Sequence, residues 1–409
     1  MDAGSLARRY RGFPRAVYVV AAARFLNVLG GGLVYPFATL YFYGEIGIAF
    51  TVVGTGLFAN SVATAAGTTV GGYLADRYGR KPVMVASMAL SAPALAAYAL
   101  VRTGAGFVTV ATLAGAAAGL FAPASQAMVA DVTESEGRER AYGLLKVASN
   151  AGFGTGFVAG GVLYGVAHTA VFVADGATSA VVAALLVVAL PQSAPGDGDG
   201  AAAPTVSLAG WRRAATRPAV LAVAGLNVVF AVAYAQMGST VPVFASESLG
   251  VGSEQLGTLL ALNPLVIVLF QLPVVDRVAG WRRTRGLVLS AGFWGASFLA
   301  VVAAHWTSRL VGVGLVAAFV VLRTVGEILH APLVTALASD LGPADGRGTR
   351  LSVVEVAKRV GFGVGPVVGG LFFDASAERL LWPTLVLVCG GLAAGLLALE
   401  RRLPAEANR

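Results

Sequence analysis

Charge is scarce in this chain. Asp, Glu, Lys and Arg together make up 12% of its 409 residues, where ordinary soluble domains carry about 25%. A water-soluble fold of this length would lack the polar surface to cover its core. Cysteine is nearly absent: Cys389 stands alone in the last apolar run, which excludes an internal disulfide and leaves a packing role. Three histidines and one cysteine, none clustered at ligand spacing, make no metal site. No G-x-x-x-x-G-K-[ST] loop is present, which argues against an ATP-driven pump. Neither an enzymatic site nor a cofactor is expected.

What the chain has in abundance is apolar length. Hydrophobic residues reach 57% and the mean hydropathy is +0.76. A helix needs about 20 mainly apolar residues to cross a bilayer. The segments 82–101, 106–130, 169–190, 285–304 and 380–399 meet that length with few or no charges. They are continuous runs of Ala, Leu, Val and Gly, not the short alternating strands of a membrane barrel. Twelve spans are expected, at 16–43, 51–75, 82–101, 106–130, 141–165, 169–190, 217–245, 254–275, 285–304, 311–338, 351–373 and 380–400.

The net charge of +8 does not point to nucleic acid, because of where the charges lie. Most of the 29 basic residues fall before the first span and at the even junctions: Arg8 to Arg15, Arg77 to Lys81, Arg138 to Lys146, Arg212 to Arg217, Arg277 to Arg285, Arg347 to Arg359 and Arg401 to Arg409. By the positive-inside rule both termini face the cytoplasm of a multi-pass cell-membrane protein. The apolar run to residue 43 is too long for a signal peptide and contains Arg24 and Asn27, so it reads as a retained first helix.

Residues 191–216 read as a linker rich in Pro, Gly, Ala and Asp, dividing a bundle at 1–190 from one at 217–409. The halves echo each other at a spacing of 209 residues. Pro123 pairs with Pro332, Asp131 with Asp340, and Gly152, Gly156, Gly160 and Gly161 with Gly361, Gly365, Gly369 and Gly370. The fold expected is therefore all-α and integral to the membrane, with about twelve transmembrane helices in two pseudo-symmetric six-helix halves. Duplicated halves with a site at the midplane are a common plan of secondary transporters.

After the second span the sequence reads Gly72-Tyr73-Leu74-Ala75-Asp76-Arg77-Tyr78-Gly79-Arg80-Lys81. Small residues at Gly71 and Gly72 let helices approach closely. The stretch resembles the loop motif of the major facilitator superfamily, G-x-L-a-D-r-x-G-r-k, with every specified position present. That superfamily is one of the cases from which the midplane rule is drawn, so rule and resemblance count once. The resemblance implies a conformational latch of Gly72, Asp76, Arg77, Gly79 and Arg80 with Asp131, the acidic residue after the fourth span.

Gly152-x-x-x-Gly156-Phe157-x-x-Gly160-Gly161 resembles the antiporter motif of the superfamily's exporters, with Phe157 in place of its proline. The eleventh span has the full form, Gly361-x-x-x-Gly365-Pro366-x-x-Gly369-Gly370. Glycines four apart line one helix face, and either motif can serve packing alone. The stretches FLNVLGGGLVYPF and GEILHAP look like the multidrug-exporter branch.

Arg323, Glu327 and His330 fall on one face of the tenth span. Charges at that depth cost about 2.5–3.5 kcal/mol each on insertion scales, so they mark a pathway or a buried ion pair. Arg24, Asn27, Gln126, Asn227, Tyr234 and Gln236 lie on spans that line the cavity in the superfamily; each serves either a solute or a helix contact. Asp175, Glu45 and Glu247 are expected near the outer ends and solvated, and Glu355 beside Lys358 in a local ion pair. The R-x-x-x-G of many proton-coupled exporters is missing, with Ala111 where the arginine would stand before Gly115.

The expectation is a monomeric, proton-coupled secondary exporter of small amphipathic compounds, set in lipid, with Glu327, Arg323 and His330 coupling the proton. An uptake symporter for a polar metabolite and a non-transporting receptor or assembly factor on the same fold are the competing readings.

Overall fold

The computed structural model describes residues 12–191, 216–278, 280–342, 346–403 and 406–408, apart from the side chain of Ser135. The linker expected at 191–216 therefore lies outside the described residues except at its edges. The described residues form helices and short connections, with no strand among them. We number the long helices α1 (Arg15–Glu45), α2 (Phe50–Tyr78), α3 (Arg80–Leu100), α4 (Gly104–Val132), α5 (Ser135–Val166), α6 (Ala170–Ala189), α7 (Pro218–Gly238), α8 (Ser253–Val278), α9 (Arg283–Ala304), α10 (Arg309–Asp340), α11 (Arg347–Asp374) and α12 (Glu378–Glu400). Eleven of them are long and apolar enough to cross a membrane. The remaining one, α5, has 32 residues and is glycine-rich, with Ser149, Asn150 and Thr155 within its stretch.

Local chemistry sets the helix ends. Thr103 caps α4 through its hydroxyl, which accepts from the Gly106 amide. Gly79 separates α2 from α3 at φ 92°, a left-handed value that favours glycine. Beyond α7 a short helix, Thr240–Leu249, ends on Gly250 in the αL conformation. Prolines sit inside α3, α8, α10, α11 and α12.

The chain forms two compact units. In the first, α1 packs on α5 and α6, and α3 packs on α4 and α6. A core of Val17, Val20, Met84, Met88, Phe121, Met128 and Leu186, with neighbouring apolar residues, fills it. In the second, α7 packs on α11, and α9 packs on α10 and α12. The same pairing thus recurs, which is the structural form of the sequence repeat. Large apolar side chains such as Leu100, Val188, Leu310 and Leu387 point outward, as expected of a lipid-facing surface.

The exchange between units is finer than the expected division at 190 and 217. Residues 39–58, the end of α1 and the start of α2, belong to the second unit. The reason is a close contact with α11. A Cβ on Gly54 would sit 2.6 Å from the Val367 amide, and one on Gly370 would sit 2.7 Å from the Thr51 amide. Asp374 accepts from the amides of Phe50 (2.8 Å) and Thr51 (2.9 Å) and from the Thr51 hydroxyl (2.6 Å). It caps the first turn of α2 from the far end of another helix.

Candidate functional site

The second unit holds a polar cluster around Glu327, near the middle of α10. Arg323 lies one turn away, and its Nη1 is 3.1 Å from Glu327 Oε2. Tyr234 of α7 donates its hydroxyl to Oε1 at 2.8 Å. Asn263 of α8 donates to Oε2 at 3.0 Å and to Thr324 Oγ1 at 2.8 Å. The Arg323 guanidinium also lies 4.1 Å from the centroid of the Tyr234 ring and 5.7 Å from that of Trp294, a cation–π arrangement. A Cβ on Gly326 would overlap the Trp294 ring, so glycine at 326 admits the indole against α10. Three helices thus converge on one carboxyl group that keeps 20% exposure, beside an arginine that keeps 2%.

His330 shares the helix face but not the network. Its ring packs against Phe230 at 4.3 Å and Trp294 at 6.1 Å between centroids. Its Nε2 is buried without a hydrogen-bond partner among the described residues. The expected Arg323–Glu327–His330 triplet is therefore a pair with an apolar neighbour.

The cavity candidates divide. Tyr234 joins the Glu327 cluster. Asn227 and Gln236 are spent on helix packing: Asn227 donates to the Val354 carbonyl at 3.0 Å, and Gln236 to the Gly365 carbonyl at 3.0 Å. In the first unit Arg24 donates to Ser149 Oγ at 3.1 Å and Asn27 to Met88 Sδ at 3.1 Å. Gln126 is exposed. Asp175, expected to be solvated, is instead 4% exposed. Beside the missing arginine, the Ala111 carbonyl accepts from Asn60 at 2.8 Å.

The loop motif is assembled around Arg80. Its Nε is 2.9 Å from Asp131 Oδ2, and its Nη2 is 3.5 Å from Asp76 Oδ1. Arg77 bonds Tyr73 within α2, and Lys81 donates to the carbonyls of Val187 and Leu190 near the end of α6. The close approach expected of both small residues belongs to Gly71 alone: a Cβ there would lie 2.7 Å from Leu120 Cα, whereas one on Gly72 would meet nothing within 4 Å. The second unit has its own version. Arg283 and Arg347 reach Asp340 at 2.7 and 3.7 Å, while Asp276, the sequence echo of Asp76, makes no ion pair among the described residues.

Both glycine motifs are packing seams. Added Cβ atoms on Gly152, Gly156 and Gly160 would press on the α1 backbone at Phe25, Leu29 and Leu33. Those on Gly361 and Gly365 would press on Val228 and Val232 of α7, and one on Gly369 on the Gln236 and Thr240 side chains. Gly161 and Pro366 are buried, and the Pro366 carbonyl lies against Gly54 of α2.

Comparison with known proteins agrees with this architecture. A family model described as Major Facilitator Superfamily matches residues 20–321 and 228–408. The chain belongs to the major facilitator superfamily. It is 27% identical to the Uncharacterized MFS-type transporter YttB of Bacillus subtilis over 94% of this chain and 95% of that one. It is 30% identical to the Multidrug resistance protein MdtH of Aeromonas hydrophila over 35% of this chain and 36% of that one. Its fold matches the crystal structure of the nucleoside transporter NupG with a TM-score of 0.78, at 12% identity, over 94% of this chain and 99% of that one. As a superfamily member the chain is a multi-pass membrane transporter for small molecules and not an enzyme.

Asn263 is the member of the site that sequence reasoning passed over. The signal was available: it is a lone amide in the apolar run LLALNPLVIVLF, next to a proline.

Proposed function

We propose that this chain is a monomeric, proton-coupled exporter of small amphipathic compounds that works by alternating access, with both termini in the cytoplasm. Glu327 is the carboxyl group that takes and gives the proton. The observation that carries this reading is the convergence of Arg323, Tyr234 and Asn263 on a carboxylate near mid-helix. Its ionised form has a cation and two donors, so it is tolerated there; its neutral form dispenses with the cation. Binding a proton at Glu327 therefore frees Arg323 of its anionic partner and loosens α7 and α8 from α10. The proton enters from outside and leaves to the cytoplasm, and solute leaves on the opposite stroke. The Arg80–Asp131 contact acts as the cytoplasmic latch. The glycine motif in α11 and the partial likeness to MdtH favour export over uptake.

Proteoliposomes holding the full chain test this with a panel of amphipathic cations and neutral dyes. An imposed pH gradient is expected to drive extrusion by the wild type. Glu327→Gln is expected to lose gradient-driven transport while retaining solute binding. A Glu327→Gln variant that still concentrates solute using the gradient overturns the assignment, and accumulation in the direction of proton flow identifies a symporter instead.

A further inference from the structure

Asp175 lies in α6 of the first unit, far along the sequence from the Glu327 cluster, and the mechanism above does not use it. It is 4% exposed. Its neighbours are chosen for space. A Cβ on Gly30 of α1 would overlap both the Asp175 carboxyl and the Thr178 hydroxyl. On the adjoining α3 side, Gly176 meets the Ala92 carbonyl and Ala96. Thr178 donates to the Asp175 backbone carbonyl, not to its carboxyl. No ion pair or hydrogen bond reaches that carboxyl among the described residues.

The charged and titratable groups of the surrounding helices are committed elsewhere. On α1, Arg24 stands six residues before Gly30 and reaches Ser149 of α5. At the far end of α3, Arg80 is held by Asp131 and Lys81 by carbonyls near the end of α6. Arg102, between α3 and α4, donates to the Ala99 and Val101 carbonyls. His168, between α5 and α6, stacks on Tyr164. Tyr98 of α3 packs on Phe172 of α6 at 5.8 Å between ring centroids, and a phenol supplies no positive charge.

We propose that Asp175 is a second proton-binding carboxyl of this transporter, holding its proton while α1 is packed on α6 at Gly30 and losing it only when the two helices part. A nearly buried anion without cation or donor is strongly disfavoured, and the neutral acid is the form that such a site accepts. Ionisation thus requires water or a donor to enter, and the glycine contact with α1 restricts that entry. Proton occupancy of Asp175 and closure of the α1–α6 seam are two readings of one equilibrium. Its part in transport rests on the proton-coupled reading; its protonation does not.

The test is infrared difference spectroscopy on the full chain in lipid nanodiscs, with aspartate carrying heavy carbon in its side-chain carboxyl. At neutral pH the wild type is expected to show a protonated-carboxyl stretch that moves with the aspartate label. The band should persist in Glu327→Gln and vanish in Asp175→Asn. Gly30→Ala, whose new methyl overlaps the carboxyl, should shift it; this variant locates the proton if Asp175→Asn does not insert. The proposal is overturned if the labelled wild type lacks the band, if Asp175→Asn keeps it, or if a folded Gly30→Ala leaves it unmoved. No solute is needed, so failure here and failure of the Glu327 assignment are scored separately.

Discussion

Arg323 lies over the ring of Tyr234 at 4.1 Å while the hydroxyl of the same tyrosine donates to Glu327 at 2.8 Å. One side chain of α7 thus holds both members of an α10 ion pair, the cation by its face and the anion by its tip. The two contacts separate by mutation. Tyr234→Phe keeps the ring and removes the donor. A hydrogen bond to a charged group contributes about 1.5–3 kcal/mol to stability, so losing it should lower the melting temperature, and gradient-driven transport should fall by about tenfold or more. Tyr234→Ala removes both contacts and leaves a cavity, and should lower the melting temperature further. Thermal-shift and proteoliposome measurements on the pair distinguish the two roles.

The Arg80 latch predicts a split between rate and stability. Asp76 is 73% exposed and Asp131 45%, and exposed ion pairs contribute only about 0.2–1 kcal/mol. Asp76→Asn and Asp131→Asn should therefore express and melt like the wild type. Their transport rate should nevertheless fall severalfold, with Asp131→Asn the more severe because its contact with Arg80 is the shorter, 2.9 against 3.5 Å. Exchanging the charges, Arg80→Asp with Asp131→Arg, should recover part of the rate. Normal turnover in both single variants would remove the latch from the mechanism.

Adjacent glycines at the end of α2 should respond in opposite ways. Gly71→Ala drives a methyl group into the α4 backbone at Leu120, an overpacking that costs typically about 1–3 kcal/mol. Gly72→Ala meets open space and gains up to about 1 kcal/mol of helix propensity. Thermal melting in detergent should rank Gly72→Ala at or above wild type and Gly71→Ala below it. In the seams, Gly156→Ala and Gly361→Ala should behave like Gly71→Ala, since each meets a backbone carbonyl, of Leu29 and Val228.

Much of the fold was legible because lipid imposes it: an uninterrupted apolar run of bilayer length has few structures open to it. The repeat was legible because Gly152, Gly156 and Gly160, and Gly361, Gly365 and Gly370, are constrained by contact with a backbone, which tolerates few substitutes. Partners were harder to read. Glu327 and Arg323 announced themselves by charge and by spacing along one helix. Tyr234 and Asn263 come from two other helices, and no periodicity within a single span relates them to Glu327. Depth also misled. Position within its span puts Asp175 near a solvated end, but exposure depends on which neighbour covers it, here the bare backbone of Gly30. The second unit's ion pairs show the same limit: Asp276 preserves the letter of the motif, while Arg283 and Asp340 make the contact.

The cap on α2 carries a consequence for biogenesis. Asp374 is 324 residues later in the chain than Phe50, whose amide it receives. The ribosome delivers α2 long before α11 exists, and polypeptides begin to fold from the end made first. Until α11 has been synthesised, the first turn of α2 has its leading amides unpaired and Gly54 lacks the neighbour it packs on. The helices made before it must wait in the bilayer with that turn unfinished, and α11 completes it.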